Sequence, residues 1–147
     1  MKFNIESVNI SEAKGIQKYP VQKVTLVEGH GIKGDAHAGN WHRQVSLLAL
    51  EAIQYMREKA GSLIIKNGDF GENIITKGID LGRVKIGGRI TINSVILEIT
   101  QIGKECHSGC AIFDAVGECI MPTQGIFARV IEGGEISVED SGYYSFG

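Results

Sequence analysis

The chain has 147 residues, 43% of them hydrophobic and 22% charged, with a formal net charge of −2. That length implies one domain, able to bury roughly two-thirds of the surface its unfolded form exposes, and the composition excludes the low-hydrophobicity, high-charge signature of disorder. So small a negative charge gives no general electrostatic reason to bind nucleic acid or an anionic membrane, and the expected partner is a small molecule.

The N-terminal MKFNIESVNI lacks the apolar stretch of a signal peptide, and no apolar run approaches the roughly 18 residues of a membrane span. A cytoplasmic location is therefore expected. Phe3, Ile5, Val8 and Ile10 read as an opening strand with a slip or bulge in its middle, and Val21, Val24, Leu26 and Val27 as a second strand. There follows EGHGIKGDAHAGNWHRQ, a long glycine-punctuated loop holding His30, His37 and His42. A loop of this length without periodicity is usually functional, and Trp41 within it is expected to pack into the core. Val45 to Leu48 is continuously apolar, after which Leu50, Ile53 and Met56 recur at helical spacing and predict a helix that stops at Gly61.

Further along, KNGDFGENII combines turn residues with the start of a strand, and RVKIGGRITINSVILEITQIG predicts two strands joined through Asn93 and Ser94. As an apolar strand, Val95 to Ile99 offers an exposed edge for pairing between chains. GIFARVIEGGEISVE predicts two short strands broken at Gly133 and Gly134, and GYYSFG reads as a tail without assigned structure. Roughly seven strands against one clear helix, with 20 glycines to 2 prolines marking tight turns, predict a mostly-β domain. It is expected to be a distorted barrel or two packed sheets with one or two flanking helices, with the histidine and cysteine loops gathered at its mouth.

All three cysteines fall in GKECHSGCAIFDAVGEC, at 106, 110 and 119. An odd number in a chain large enough for its own core does not suggest a disulfide framework. Cys106 and Cys110 have three residues between them and no βαβ context, unlike a thioredoxin-type pair. Cys106, His107, Cys110 and Cys119 are suitable ligand types for zinc, but only one knuckle is present, and the order C-H-x-x-C is wrong for covalent haem. A single thiolate favoured by Lys104, His107, Arg43 or Arg129 has the character of a nucleophile or sulfur carrier. Cys110 and Cys119, flanked by Ala, Ile and Val, also suit small buried hydrophobes.

The ordered set GIKGDAHAG, RQVSLL, GDFGENIITKGIDL, RVKIGGRITI, VILEITQIGKECHSGC and MPTQGIFARVIEGGEI resembles the MOSC domain, named for the C-terminal domain of molybdenum cofactor sulfurase. The resemblance spans about Asn4 to Asp140 of a single domain, residues 1–147, of the short stand-alone bacterial type. It implies a β-barrel-like fold and a reactive cysteine after the ITQIG strand, acting as molybdenum ligand or persulfide carrier. Cys110, before Ala111 and Ile112, matches that placement best, and Cys106 second. It also implies that molybdenum cofactor (molybdopterin) is the bound group, with zinc the less favoured alternative. Asp35, His37, Arg43, Asn73, Lys104, His107 and Arg129 are then candidates to bind it, Arg43 as an anion clamp. Asp35 and Asn73 serve equally well as loop-fixing hydrogen-bonding residues. The activity implied is sulfurtransferase-like, or that of a molybdenum-dependent reductase component, with a sulfur-donor or electron-donor protein as partner. A non-catalytic cofactor- or metal-binding module and a structural zinc domain are the alternatives.

Overall fold

The computed structural model describes residues 1–104, 112 and 116–146. Alternation in KFNIESVNI forms β1 (Lys2–Ile10), which turns Phe3 and Ile5 into the core and carries the expected irregularity between Ile5 and Ser7 where it pairs with the strand at Ile74–Lys77. The next apolar run divides into β2 (Tyr19–Val21) and β3 (Lys23–Val27), and the glycine-rich loop contributes the two-residue β4 (Gly31–Ile32). All of β5 (Val45–Ala49) is buried, as a strand covered on both faces must be. It runs directly into α1 (Leu50–Lys59), which buries Leu50, Ala52, Ile53 and Met56 and is followed by Gly61 at φ 61°, the expected helix stop. Glu51 in its first turn and Arg57 and Lys59 in its last complement the helix dipole.

After α1 come β6 (Ile74–Lys77), a 3₁₀ turn at Leu81–Arg83, β7 (Arg89–Ile92) and β8 (Val95–Ile102). A one-turn helix at Met121–Gln124 precedes β9 (Ile126–Glu132), β10 (Gly134–Ser137) and β11 (Ser141–Ser145). Because α1 serves as a crossover, β5 and β6 pair parallel, whereas every other pairing is antiparallel.

The strand order β11-β7-β8-β9-β5-β6-β1 closes through a β11–β1 pairing into a seven-stranded barrel, with β2 added outside β1. A second sheet, β10-β3-β4, packs β3 on β9 and β10 on β8. The expected mostly-β barrel with one flanking helix is therefore present, and two expectations within it are corrected. The GYYSFG tail is largely β11, the strand that closes the barrel; Tyr144 is buried there and its hydroxyl accepts from the Lys85 N–H at 2.9 Å. Val95, Leu97 and Ile99 are buried, with β7 on one side and β9 on the other, so that run is no exposed edge. The two strands predicted around Gly133 and Gly134 are present as β9 and β10, the first in the barrel and the second in the other sheet.

Among the described residues no helix is long and apolar enough to cross a membrane.

Candidate functional site

At the end of the barrel where β8 runs out and β6 and β9 begin, a pocket of about 60 Å³ is lined by residues that lie far apart in the sequence. The glycine-rich loop supplies His37, Trp41 and Arg43, β5 supplies Ser46, and the turn before β6 supplies Phe70 and Asn73. Lys104 follows β8, Met121 opens the one-turn helix, and Phe127 comes from β9. A cleft of about 450 Å³ lies across Trp41 and includes His42, Glu98, Thr100 and Arg129.

Two cations lie against the aromatic walls of the pocket. The Arg43 guanidinium sits 4.6 Å from the Trp41 ring centroid and 5.9 Å from that of Phe127, and Lys14 covers Trp41 at 5.2 Å. Trp41 is thus not the core residue expected; it is half-buried and forms the wall shared by pocket and cleft. The Arg43 Nε is buried without a hydrogen-bond partner among the described residues.

Behind His37 lies an ion pair with fully buried side chains, Lys18 Nζ to Asp35 Oδ1 at 2.7 Å. Lys18 also meets Ser11 Oγ at 3.1 Å and His37 Nδ1 at 2.9 Å. Asp35 accepts the Ser11 N–H at 3.0 Å and, through Oδ2, the His37 N–H at 3.2 Å. The Trp41 indole N–H donates to the His37 carbonyl at 2.8 Å. Burial first, and then the Lys18 ammonium, holds the His37 imidazole below its ordinary value, with Lys104 and Lys14 adding to the effect and Asp35 opposing it.

Asn73 fixes loops. Its Oδ1 accepts from Ser46 N at 3.0 Å and its Nδ2 donates to the Asn9 carbonyl at 3.1 Å, tying β5 to the end of β1. Next to it, Glu72 is buried and accepts the Gly68 and Phe70 N–H groups, each at 3.0 Å. Lacking a cationic partner in these contacts, its carboxyl is pushed up to about 7, chiefly by burial. Gly68 holds φ +97°, and a Cβ there would overlap the Lys18 carbonyl, so only glycine lets these two loops meet.

Of the residues proposed from sequence, His37, Arg43, Asn73 and Lys104 meet in one pocket, and Asp35 stands behind it. Arg129 faces the neighbouring cleft instead, bound to Glu98 at 2.8 and 3.0 Å. His42 meets Gln101 Oε1 at 2.8 Å, and its carbonyl accepts from the Thr100 hydroxyl. Cys106, His107 and Cys110 lie outside the described residues, while Cys119 is half-buried and packs against the core. Among the described residues no three His, Cys, Asp or Glu side chains gather to hold a metal ion. Sequence reasoning missed Lys18, Ser46 and Glu72. Lys18 sits in the polar run EAKGIQKYP, where nothing distinguishes a buried lysine from a solvated one.

Residues 34–142 match the MOSC domain, and the chain belongs to that family. No curated protein matches the sequence. The fold is shared with the YuaD protein from Bacillus subtilis, 21% identical with a TM-score of 0.84, over 100% of this chain and 98% of that one. It is also shared with YiiM from Geobacillus stearothermophilus, 19% identical with a TM-score of 0.73, over 98% of this chain and 75% of the other. YiiM from Escherichia coli is 18% identical, with a TM-score of 0.71 over 100% of this chain and 71% of its own.

Proposed function

We propose that the chain is a molybdenum-cofactor-linked protein whose pocket holds an anionic group of the cofactor. Its neighbouring cysteine segment supplies the reactive thiol, Cys110 first and Cys106 second, as molybdenum ligand or persulfide carrier. The observation that carries the reading is Arg43. Its Nε has no acceptor among the described residues; a buried N–H left so costs roughly 1–3 kcal/mol, and a bound oxyanion would supply an acceptor through a charge-assisted bond. Lys104 adds a second cation and His37 a neutral imidazole, while Trp41 and Phe127 supply aromatic walls.

The donor set fits an anionic head group, and the two volumes suggest how a larger ligand divides. About 60 Å³ takes the head, whereas the roughly 450 Å³ cleft across Trp41 is of the size that small-molecule bodies occupy. When bound, the cofactor supplies a soft metal centre that accepts thiolate. The chain's own residues bind and orient it: Arg43 and Lys104 neutralise charge, and the Asn73 and Ser46 hydrogen bonds hold the pocket's floor in place.

The Lys104 N–H donates to the Met121 carbonyl at 3.1 Å, so the segment carrying the cysteines leaves and returns at the pocket wall. Lys104 is two residues from Cys106 and six from Cys110, and cations near a thiol favour its thiolate. In sulfur transfer that thiolate attacks the outer sulfur of a donor protein's persulfide. The donor's S–S bond breaks, the donor leaves as a thiolate, and the new S–S bond remains on the cysteine.

The test is elemental analysis and intact mass of the natively purified protein, with Cys106→Ser, Cys110→Ser and Arg43→Ala beside it. Molybdenum with pterin, lost in Arg43→Ala and in one cysteine variant, supports the ligand role. An adduct of one sulfur atom, formed on incubation with a persulfide donor and lost in one cysteine variant, supports the carrier role. A wild type that takes up neither when offered both overturns the reading.

A further inference from the structure

We propose that Lys18 is a positioning residue: from behind the pocket it fixes His37 as the neutral tautomer protonated on Nε2, giving the pocket a third N–H donor beside Arg43 and Lys104. Only the use of that donor on an oxyanion rests on the reading above.

An ammonium has three N–H bonds and no acceptor capacity. Lys18 Nζ has three polar neighbours, Asp35 Oδ1 at 2.7 Å, His37 Nδ1 at 2.9 Å and Ser11 Oγ at 3.1 Å, and its side chain has no exposure to water. Each N–H therefore has one acceptor. Because Nζ can only donate, Nδ1 must offer its lone pair, and the single proton of the neutral ring resides on Nε2.

The ring is not free to escape this arrangement. The His37 N–H is held by Asp35 Oδ2 and its carbonyl by the Trp41 indole, and flipping the imidazole would set a C–H against the ammonium. Among the described residues, the charged groups acting on the ring are Lys18, Lys104 and Lys14 against Asp35, a balance that disfavours the imidazolium. Nε2 has no hydrogen-bond partner among the described residues, and His37 lines the pocket. A buried ion pair adds little net stability over apolar side chains of the same volume, so setting the state of a neighbouring group accounts for Lys18 better than stability does.

The experiment is long-range ¹H–¹⁵N NMR of the histidine rings, with His37 assigned by its loss in His37→Gln. It is followed on the wild type and on a Lys18→Met/Asp35→Asn double variant, which removes both charges together; Lys18→Met alone leaves the Asp35 carboxylate buried and unpaired, a strongly destabilising change. In the wild type at neutral pH, Nδ1 is expected to show the shift of an unprotonated nitrogen and Nε2 that of a protonated one. In the double variant the two tautomers mix, and the His37 titration moves up toward an ordinary histidine. Inorganic phosphate should perturb the wild-type Nε2–H, with affinity roughly tenfold weaker in the double variant, the worth of one hydrogen bond. A wild-type proton on Nδ1, an imidazolium at neutral pH, or an unchanged signature in the double variant overturns the assignment. The stated tautomer in a protein that phosphate does not perturb supports Lys18 as the positioning residue and overturns the pocket's reading as an anion receptor.

Discussion

Glu72 carries the sharpest consequence of a single residue's surroundings. Its buried carboxyl accepts two backbone N–H groups, and the Gly68 it holds in turn accepts the Lys18 N–H at 3.1 Å, so it underpins the loop behind the pocket. Its folded value of about 7 exceeds the ordinary 4.5, so the folded state holds a proton that the unfolded state has released. The resulting stability is present below pH 4.5 and is lost as pH rises toward 7, on the order of 3 kcal/mol in all. His37, whose value is lowered, works in the opposite sense: its contribution is present above the ordinary histidine value and is lost as pH falls. Urea denaturation of wild type and Glu72→Gln from pH 4.5 to 8 isolates the carboxyl. The wild type's stability relative to the variant should fall by about 3 kcal/mol as pH rises, and a difference independent of pH contradicts the assignment.

Among the elements, β11 has the largest effect for its length. It hydrogen-bonds to β7 along one edge and to β1 along the other, and without it neither neighbour closes the barrel. Gly142 faces the Phe3 ring so closely that no side chain fits between them. Two positions on, Tyr144 buries its ring and accepts the Lys85 N–H. Tyr144→Ala is expected to cost about 3–5 kcal/mol, the usual result of deleting a buried aromatic ring. Tyr144→Phe, which removes only the acceptor, should cost about 1–2 kcal/mol. Denaturant midpoints with an unchanged slope would confirm both. Equal losses would mean that the hydroxyl, not the ring, fastens the strand.

On the scale of the whole molecule, the closed barrel and α1 bury a continuous apolar core from Phe3 to Tyr144. A core of this extent is expected to hold together without a metal, in contrast to a zinc domain, whose binding energy is its folding energy. Incubation with a strong chelator should accordingly leave the melting temperature unchanged to within a degree or two. A collapse of the melting transition would revive the structural zinc alternative. Much of this architecture was legible in the sequence, because period-two alternation in β1, β7 and β8 and the 3.6-residue recurrence in α1 are local signals that burial then amplifies. The GYYSFG tail was not legible, since its burial alternates but one buried position is Gly142, which has no side chain, and the exposed position beside Tyr144 is the aromatic Tyr143.

The sequence by itself determined the residue types, the β-rich class and the glycine-rich histidine loop that lines the pocket, because glycines, histidines and apolar periodicity are written locally. The tertiary structure alone decided which of the candidate cations share a pocket. Arg43 and Lys104 converge there because β5 and β8 both pair with β9, whereas Arg129, on β9 itself, turns into the next cleft and pairs with Glu98. Lys18 acquires its role the same way. A lysine's charge is visible in any sequence, but its burial against Asp35 and His37 exists only once β1, the glycine-rich loop and the Gly68 turn are packed together.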